Sequence, residues 1–169
     1  MPDSARLFRC GVLTLSDKGA RGEREDTSGP RIREMLRAEG YEVALYQMLP
    51  DTQELIEQIL IAWVDEQSLD LIITTGGTGV SPSDRTPEAT RAVIEREVPG
   101  LGEAMRLASL QKTVQAVWSR GIAGIRKGCL ILNLPGSRRA AEENLSAVLP
   151  ALRHGLEKLK GSEIDCGRI

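Results

Sequence analysis

Leu69 to Thr75 reads LDLIITT and runs without a break into GGTGVSPSD, Gly76 to Asp84. The first half is a short run, apolar on both faces and bounded by turn residues, the pattern of a strand buried on both sides in a parallel sheet. The second half places glycines and hydroxyls where such a strand must turn into a helix. Thr86-Pro87-Glu88 then opens that helix, with a capping hydroxyl, a first-turn proline and a first-turn acid. Strand, glycine turn and helix in this order mark an α/β unit whose turn lies at the carboxyl edge of the sheet, where open α/β sheets hold their ligands.

The same unit recurs on either side. Phe8 to Leu15 (FRCGVLTL) is a second buried strand, ending at Ser16-Asp17. Gly128 to Leu134 (GCLILNL) is a third, ending at Asn133 to Ser137. Tyr41 to Leu49 reads as a further strand. Helices are expected from Ser28 to Gly40 with Pro30 at the first position, through Leu55 to Val64, from Thr86 until Pro99-Gly100 breaks the run, from Glu103 to Lys112, and from a Ser137 cap through Leu149. Pro150 is expected to kink that last helix or start another. Alternating strands and helices imply an α/β fold with helices on both faces of the sheet. No repeat or linker divides the 169 residues, so one domain over 1–169 is expected.

Composition narrows the chemistry. Phe8, Tyr41, Tyr46, Trp63 and Trp118 make up the aromatic 3%, against 17 glycines, too little stacking surface for a base-stacking nucleic-acid binder. A net charge of −2 also speaks against a dedicated nucleic-acid protein. Cys10, Cys129 and Cys166 are scattered, and His154 is the one histidine, which excludes zinc sites, iron–sulfur clusters and histidine-dependent catalysis. Without a signal-peptide pattern or a membrane-length apolar run, a cytoplasmic setting is expected. Acid, base or metal chemistry therefore falls to carboxylates, hydroxyls and lysines.

Two carboxylates stand out. Asp84 ends the glycine turn, and Asp51 follows the strand ending at Leu49. Each has an ordinary alternative: a loop or cap acid for Asp84, and an N-cap paired with Glu54 in a capping box for Asp51. The glycine turn itself could be a plain tight turn without a ligand. If both acids reach one phosphate site, they suit Mg²⁺, which takes one or two carboxylates while bridging substrate phosphates. The turn is neither a Walker A loop, lacking Gly-Lys-Ser/Thr, nor the G-x-G-x-x-G dinucleotide fingerprint. Asp17 and Asp26 are reserve acids. Arg120, Arg126, Lys127, Arg138 and Arg139 bracket the last strand; one or two of them could reach phosphate, and most are read as surface charge.

Taken together, TTGGTGVSPSDRTPEAT (Thr74 to Thr90), LNLPGS (Leu132 to Ser137), LTLSD (Leu13 to Asp17), DTSGP (Asp26 to Pro30), PGLGEAMR (Pro99 to Arg106) and SRGIAGIRKG (Ser119 to Gly128) resemble the MogA/MoaB family of molybdenum-cofactor biosynthesis proteins. The resemblance runs in order along nearly the whole chain. It implies a three-layer α/β/α domain with a mostly parallel sheet, assembled as a homotrimer. It further implies transfer of an adenylyl group from ATP to molybdopterin with Mg²⁺, and contact with a molybdenum-insertion enzyme. By the same resemblance Asp51 and Asp84 are the catalytic, metal-associated acids. Ser16, Asp26, Thr75, Gly76, Gly77, Thr78, Gly79, Ser81, Glu103, Ser119, Asn133, Pro135 and Gly136 fall on pterin- and nucleotide-site positions. A MoaB-like protein that binds molybdopterin without transferase activity is the alternative. Ser137-Arg138-Arg139 departs from the Gly-Asn/Gln-Pro turn of many relatives.

Overall fold

A computed structural model describes residues 7–163. The chain forms β1 (Arg9–Leu15), α1 (Asp17–Ala20), α2 (Ser28–Ala38), β2 (Glu42–Leu49), α3 (Gln53–Asp65), β3 (Leu71–Thr75), α4 (Thr86–Val93), β4 (Arg96–Glu97), α5 (Pro99–Leu110), a 3₁₀ turn (Val114–Trp118), β5 (Ala123–Arg126), β6 (Cys129–Leu134) and α6 (Arg138–Leu159). The sheet order is β2-β1-β3-β6-β5-β4. β2, β1, β3 and β6 run parallel, whereas β5 is antiparallel to both its neighbours.

Alternation along the central strands divides the core into two layers. Val12, Leu71, Ile73, Leu132 and Leu134 pack with Ile32 and Leu36 of α2, Met105 of α5, and Leu145, Val148 and Leu152 of α6. Leu13, Leu15, Ile72 and Ile131 face the other way, toward Ile56, Leu60 and Trp63 of α3 and Ala89 and Val93 of α4. The result is the expected α/β/α sandwich. Cys10 and Cys129 are buried free thiols inside it, as read from their apolar strands, and Cys166 lies outside the described residues. Among the described residues no helix is long and apolar enough to cross a membrane.

Several local expectations are corrected. Pro99 begins α5 rather than ending α4, because α4 has already stopped at Val93 and β4 intervenes. Pro30 occupies the third position of α2. Thr86 lies inside α4 and its hydroxyl donates to the Gly76 carbonyl at 2.9 Å, so it caps nothing. Thr52 precedes α3 without a side-chain cap, and Asp51 is engaged by Asp17 instead, so there is no capping box. Pro150 sits within an unbroken α6. The carbonyl it would have paired with belongs to Ser146, which is exposed and open to water. Ser137 does cap α6, accepting from the Ala140 N–H at 3.2 Å.

β4 and β5 have no counterpart among the expected strands. β5 and β6 are joined by Lys127 and Gly128, both at positive φ (45° and 78°), the geometry of a two-residue hairpin turn. At the amino edge of the sheet the buried Asp70 accepts from the Arg9 N–H at 2.9 Å and pairs with Lys160, just past α6, at 2.7 Å. The carboxyl edge is built differently.

Candidate functional site

The register brings the ends of the parallel strands level: Leu15 with Leu49, Thr14 with Thr75, and Thr75 with Leu134. Ser16, Asp51, Gly76 and Pro135 therefore emerge side by side. Above them opens a cleft of about 460 Å³, lined by Ser16, Asp26, Asp51, Thr75, Gly76, Gly77 and Gly136 of the expected positions. Arg24 and Arg138 line it too.

The glycines are required by close approach and by backbone conformation. Gly76 and Gly77 have φ of 102° and 67°. A Cβ at Gly76 would stand 2.2 Å from the Leu15 carbonyl oxygen, and one at Gly77 only 2.3 Å from Thr86 Oγ1 and 2.9 Å from Asp51 Oδ1. Two carboxylates thus flank the turn. Asp51 lies against Gly77, while Asp84 lies 2.8 Å from where a Gly79 Cβ would be and accepts from the Ser81 N–H at 2.9 Å.

Asp51 is held by Asp17. The Asp17 N–H donates to Asp51 Oδ2 at 3.2 Å, and the Asp51 N–H donates to Asp17 Oδ1 at 2.9 Å. Its other oxygen, Oδ1, is buried with no hydrogen-bond partner. Burial raises the Asp51 pKa, and the negative charges of Asp17 and Asp84 raise it further against the opposing Asp17 N–H. A cation would satisfy Oδ1 and relieve this repulsion, so the donor set fits a divalent ion. Among the described residues no group of three or more His, Cys, Asp or Glu is arranged to hold a metal. Mg²⁺ there would take its remaining ligands from substrate oxygens and water.

Asp26 has a different situation. Its carboxylate accepts from Thr14 Oγ1 at 2.7 Å, the Gly29 N–H at 2.9 Å, Ser28 Oγ at 3.3 Å and the Tyr46 hydroxyl. Burial pushes its pKa up, but those bonds outweigh burial and leave it below the usual range. Tyr46 is pushed up to about 12, by burial first and by Asp26 next. Asp26 therefore bridges β1, β2 and the start of α2 while facing the cleft.

Other expected residues are placed as framework. Ser16 caps α1, accepting from the Gly19 N–H at 3.0 Å. Thr75 is buried and donates to the Pro135 carbonyl at 2.7 Å. Asn133 is buried, its amide donating to Thr74 at 3.0 Å and Thr90 at 2.9 Å and its oxygen accepting from the Ile122 N–H at 3.2 Å, so its side chain is fully engaged inside the fold. Thr78 is buried too, and its carbonyl accepts from the Arg120 N–H at 2.9 Å, which brings Ser119 beside the glycine turn. Glu103 is exposed on α5, outside the cleft lining.

Arg120, one of the basic residues bracketing the last strand, engages Gly79, Asp84 and Glu88 through its side chain. Only its position next to Ser119 hints at this. Trp118, beside them, is 60% exposed.

Residues 11–154 match the family described as "Probable molybdopterin binding domain". Over 163 residues the chain is 42% identical to the molybdopterin adenylyltransferase of Helicobacter pylori strain J99, covering 93% of this chain and 90% of that one. It is 42% identical to the molybdopterin adenylyltransferase of Escherichia coli K12 over 147 residues, covering 85% of this chain and 75% of that one. The crystal structure of the molybdopterin biosynthesis enzyme MoaB from Thermus thermophilus superimposes with a TM-score of 0.88 at 55% identity, over 92% of this chain and 98% of that one.

Proposed function

The chain belongs to the molybdopterin-binding family of molybdenum-cofactor biosynthesis proteins, and from that premise we propose that it is a molybdopterin adenylyltransferase. A phosphate oxygen of molybdopterin attacks the α-phosphorus of ATP and forms the new P–O bond. The bond from that phosphorus to the β-phosphate oxygen breaks, and pyrophosphate leaves with the electron pair. A phosphate dianion is already a nucleophile, so no general base is needed, in keeping with a cleft whose lining contains no histidine.

The observation that carries this reading is the pair Asp51 and Asp84 about the glycine turn, with the buried Asp51 Oδ1 left without a partner. These two carboxylates would hold Mg²⁺, which when bound neutralises phosphate charge as pyrophosphate departs. Gly76 and Gly77 keep the cleft floor free of side chains, so a phosphate reaches backbone there. Gly136 and Ser16 border the same space. The contribution of the protein is positioning and preorganised charge.

The family resemblance supports a cytoplasmic homotrimer that passes its product to a molybdenum-insertion enzyme. Leu107, Val114, Val117 and Trp118, each more than half exposed on α5 and the turn after it, offer an apolar surface for self-association.

Incubating the protein with molybdopterin, ATP and Mg²⁺ tests the reaction. Pyrophosphate and adenylylated pterin should appear together. Pterin binding without either product would make the protein a carrier and overturn the proposal.

A further inference from the structure

Arg120 grips the 79–84 segment, the second half of the glycine turn, at both of its ends. Its Nε donates to the Gly79 carbonyl at 2.6 Å, and its Nη2 donates to the Asp84 carbonyl at 2.9 Å. Its Nη1 pairs with Glu88 in the first turn of α4. Its own backbone N–H donates to the Thr78 carbonyl at 2.9 Å. The bonds that the 81–84 turn makes within itself, Asp84 N–H to Ser81 O and Ser81 N–H to Asp84 Oδ2, both at 2.9 Å, fix its shape. They do not fix where it stands relative to Gly79 or to Asp51.

We propose that Arg120 is a positioning residue that sets the place of the Asp84 carboxylate by tying the carbonyls of residues 79 and 84 to one guanidinium anchored on Glu88. Spanning two carbonyls and a carboxylate together takes a planar fork of five N–H donors. A lysine, with a compact ammonium, serves one of them at a time. The proposal rests on the reading of Asp84 as an acid that acts on the substrate.

The test is Arg120→Lys, alone and combined with Asp84→Asn, with two readouts. Hydrogen–deuterium exchange over residues 79–85 should quicken by about tenfold or more, the sign of a local opening that leaves the rest of the fold protected. Adenylyl transfer should fall about 10–100-fold, mostly in kcat, as expected when a group near the chemistry is displaced by about an ångström. In the Asp84→Asn background the same change should cost less than about twofold, because both substitutions remove one effect. Unchanged exchange over 79–85, or losses that multiply in the double variant, would overturn the proposal.

Glu88→Gln keeps the decision open if Arg120→Lys does not fold. It leaves the guanidinium in place but weakens its anchor, so exchange over 79–85 should again quicken, and no change would overturn the proposal. The exchange arm needs no turnover. A wild-type protein without adenylyl transfer would therefore sink the proposed function and leave the tie of Arg120 to the turn to be decided by exchange alone.

Discussion

Asp17 and Asp51 exchange hydrogen bonds, each backbone N–H donating to the carboxylate of the other, at 3.2 and 2.9 Å. The pairing ties the turn after β1 to the turn after β2 and spends one Asp51 oxygen on structure, leaving the other to face Gly77.

That division of labour makes Asp51→Asn informative. The amide oxygen can still accept from the Asp17 N–H, so the fold should persist, while the charge needed at the phosphate site is gone. Adenylyl transfer should drop by about 100-fold or more. Asp84→Asn should behave alike, losing transfer and keeping pterin binding, since its amide oxygen can still receive the Ser81 N–H. Turnover assays beside a pterin-binding titration check both. Normal turnover in either variant would remove that residue from its role.

Asp51 and Asp26 should pull stability in opposite directions with pH. The Asp51 pKa is raised, so its ionised form costs the folded state stability above the ordinary value of 3.8, and the cost fades as pH falls. Asp51→Asn should therefore melt higher than wild type near neutral pH, with the advantage closing in acid. The Asp26 pKa is lowered, so its contribution is full above 3.8 and is lost as pH falls through the depressed folded value. Asp26→Asn should cost about 2 kcal/mol near neutral pH. Melting curves between about pH 7 and pH 3 read both signs.

Gly77→Ala should destabilise by about 2 kcal/mol, lowering Tm by roughly 4–8 °C, because it adds left-handed strain to contact with Thr86 and Asp51. Gly22 shares a positive φ of 74°, but a Cβ there would meet nothing within 4 Å. Gly22→Ala carries the strain without the contact, so its smaller loss, measured by calorimetry, isolates what crowding at the cleft floor adds.

On the proposed trimer, Trp118→Glu should lower the apparent mass seen by light scattering toward that of a monomer, since a carboxylate would be desolvated in an apolar interface. An unchanged mass would move the self-association surface elsewhere.

The central strands and their polar edge are readable because a doubly buried strand leaves a short, predominantly apolar run. LDLIITT, FRCGVLTL and GCLILNL each do so, and each runs into a turn that borders the cleft, at Gly76, Ser16 and Gly136 respectively. β4 and β5 leave no such trace. β4 is only the exposed pair Arg96 and Glu97, and the β5–β6 hairpin turns on Lys127 where a sequence reading looks for Asn or Asp. Asp51 stands out in the sequence for two reasons at once, and only its placement by the glycine turn holds. Its engagement with Asp17 depends on strand register, to which a local cap pattern is blind. Arg120 escapes a sequence reading because its partners are two backbone carbonyls and a glutamate 32 residues away. No side-chain pattern records such a bond. Asn133 shows the converse, a polar residue in a recognisable motif whose side chain braces β3, α4 and the turn before β5 from within.

The pair formed by Lys160 and Asp70 gives the molecule a blind side. α6 starts at the cleft with Ser137 and, at 22 residues, carries the chain about 33 Å away before Lys160 closes over the opposite edge. A label, tether or surface attachment placed beyond residue 160 would leave the cleft mouth unobstructed. Cutting the chain back past Lys160 would strip the counter-charge from a nearly sealed carboxylate, so trimming from that end would be felt as lost stability, far from the chemistry.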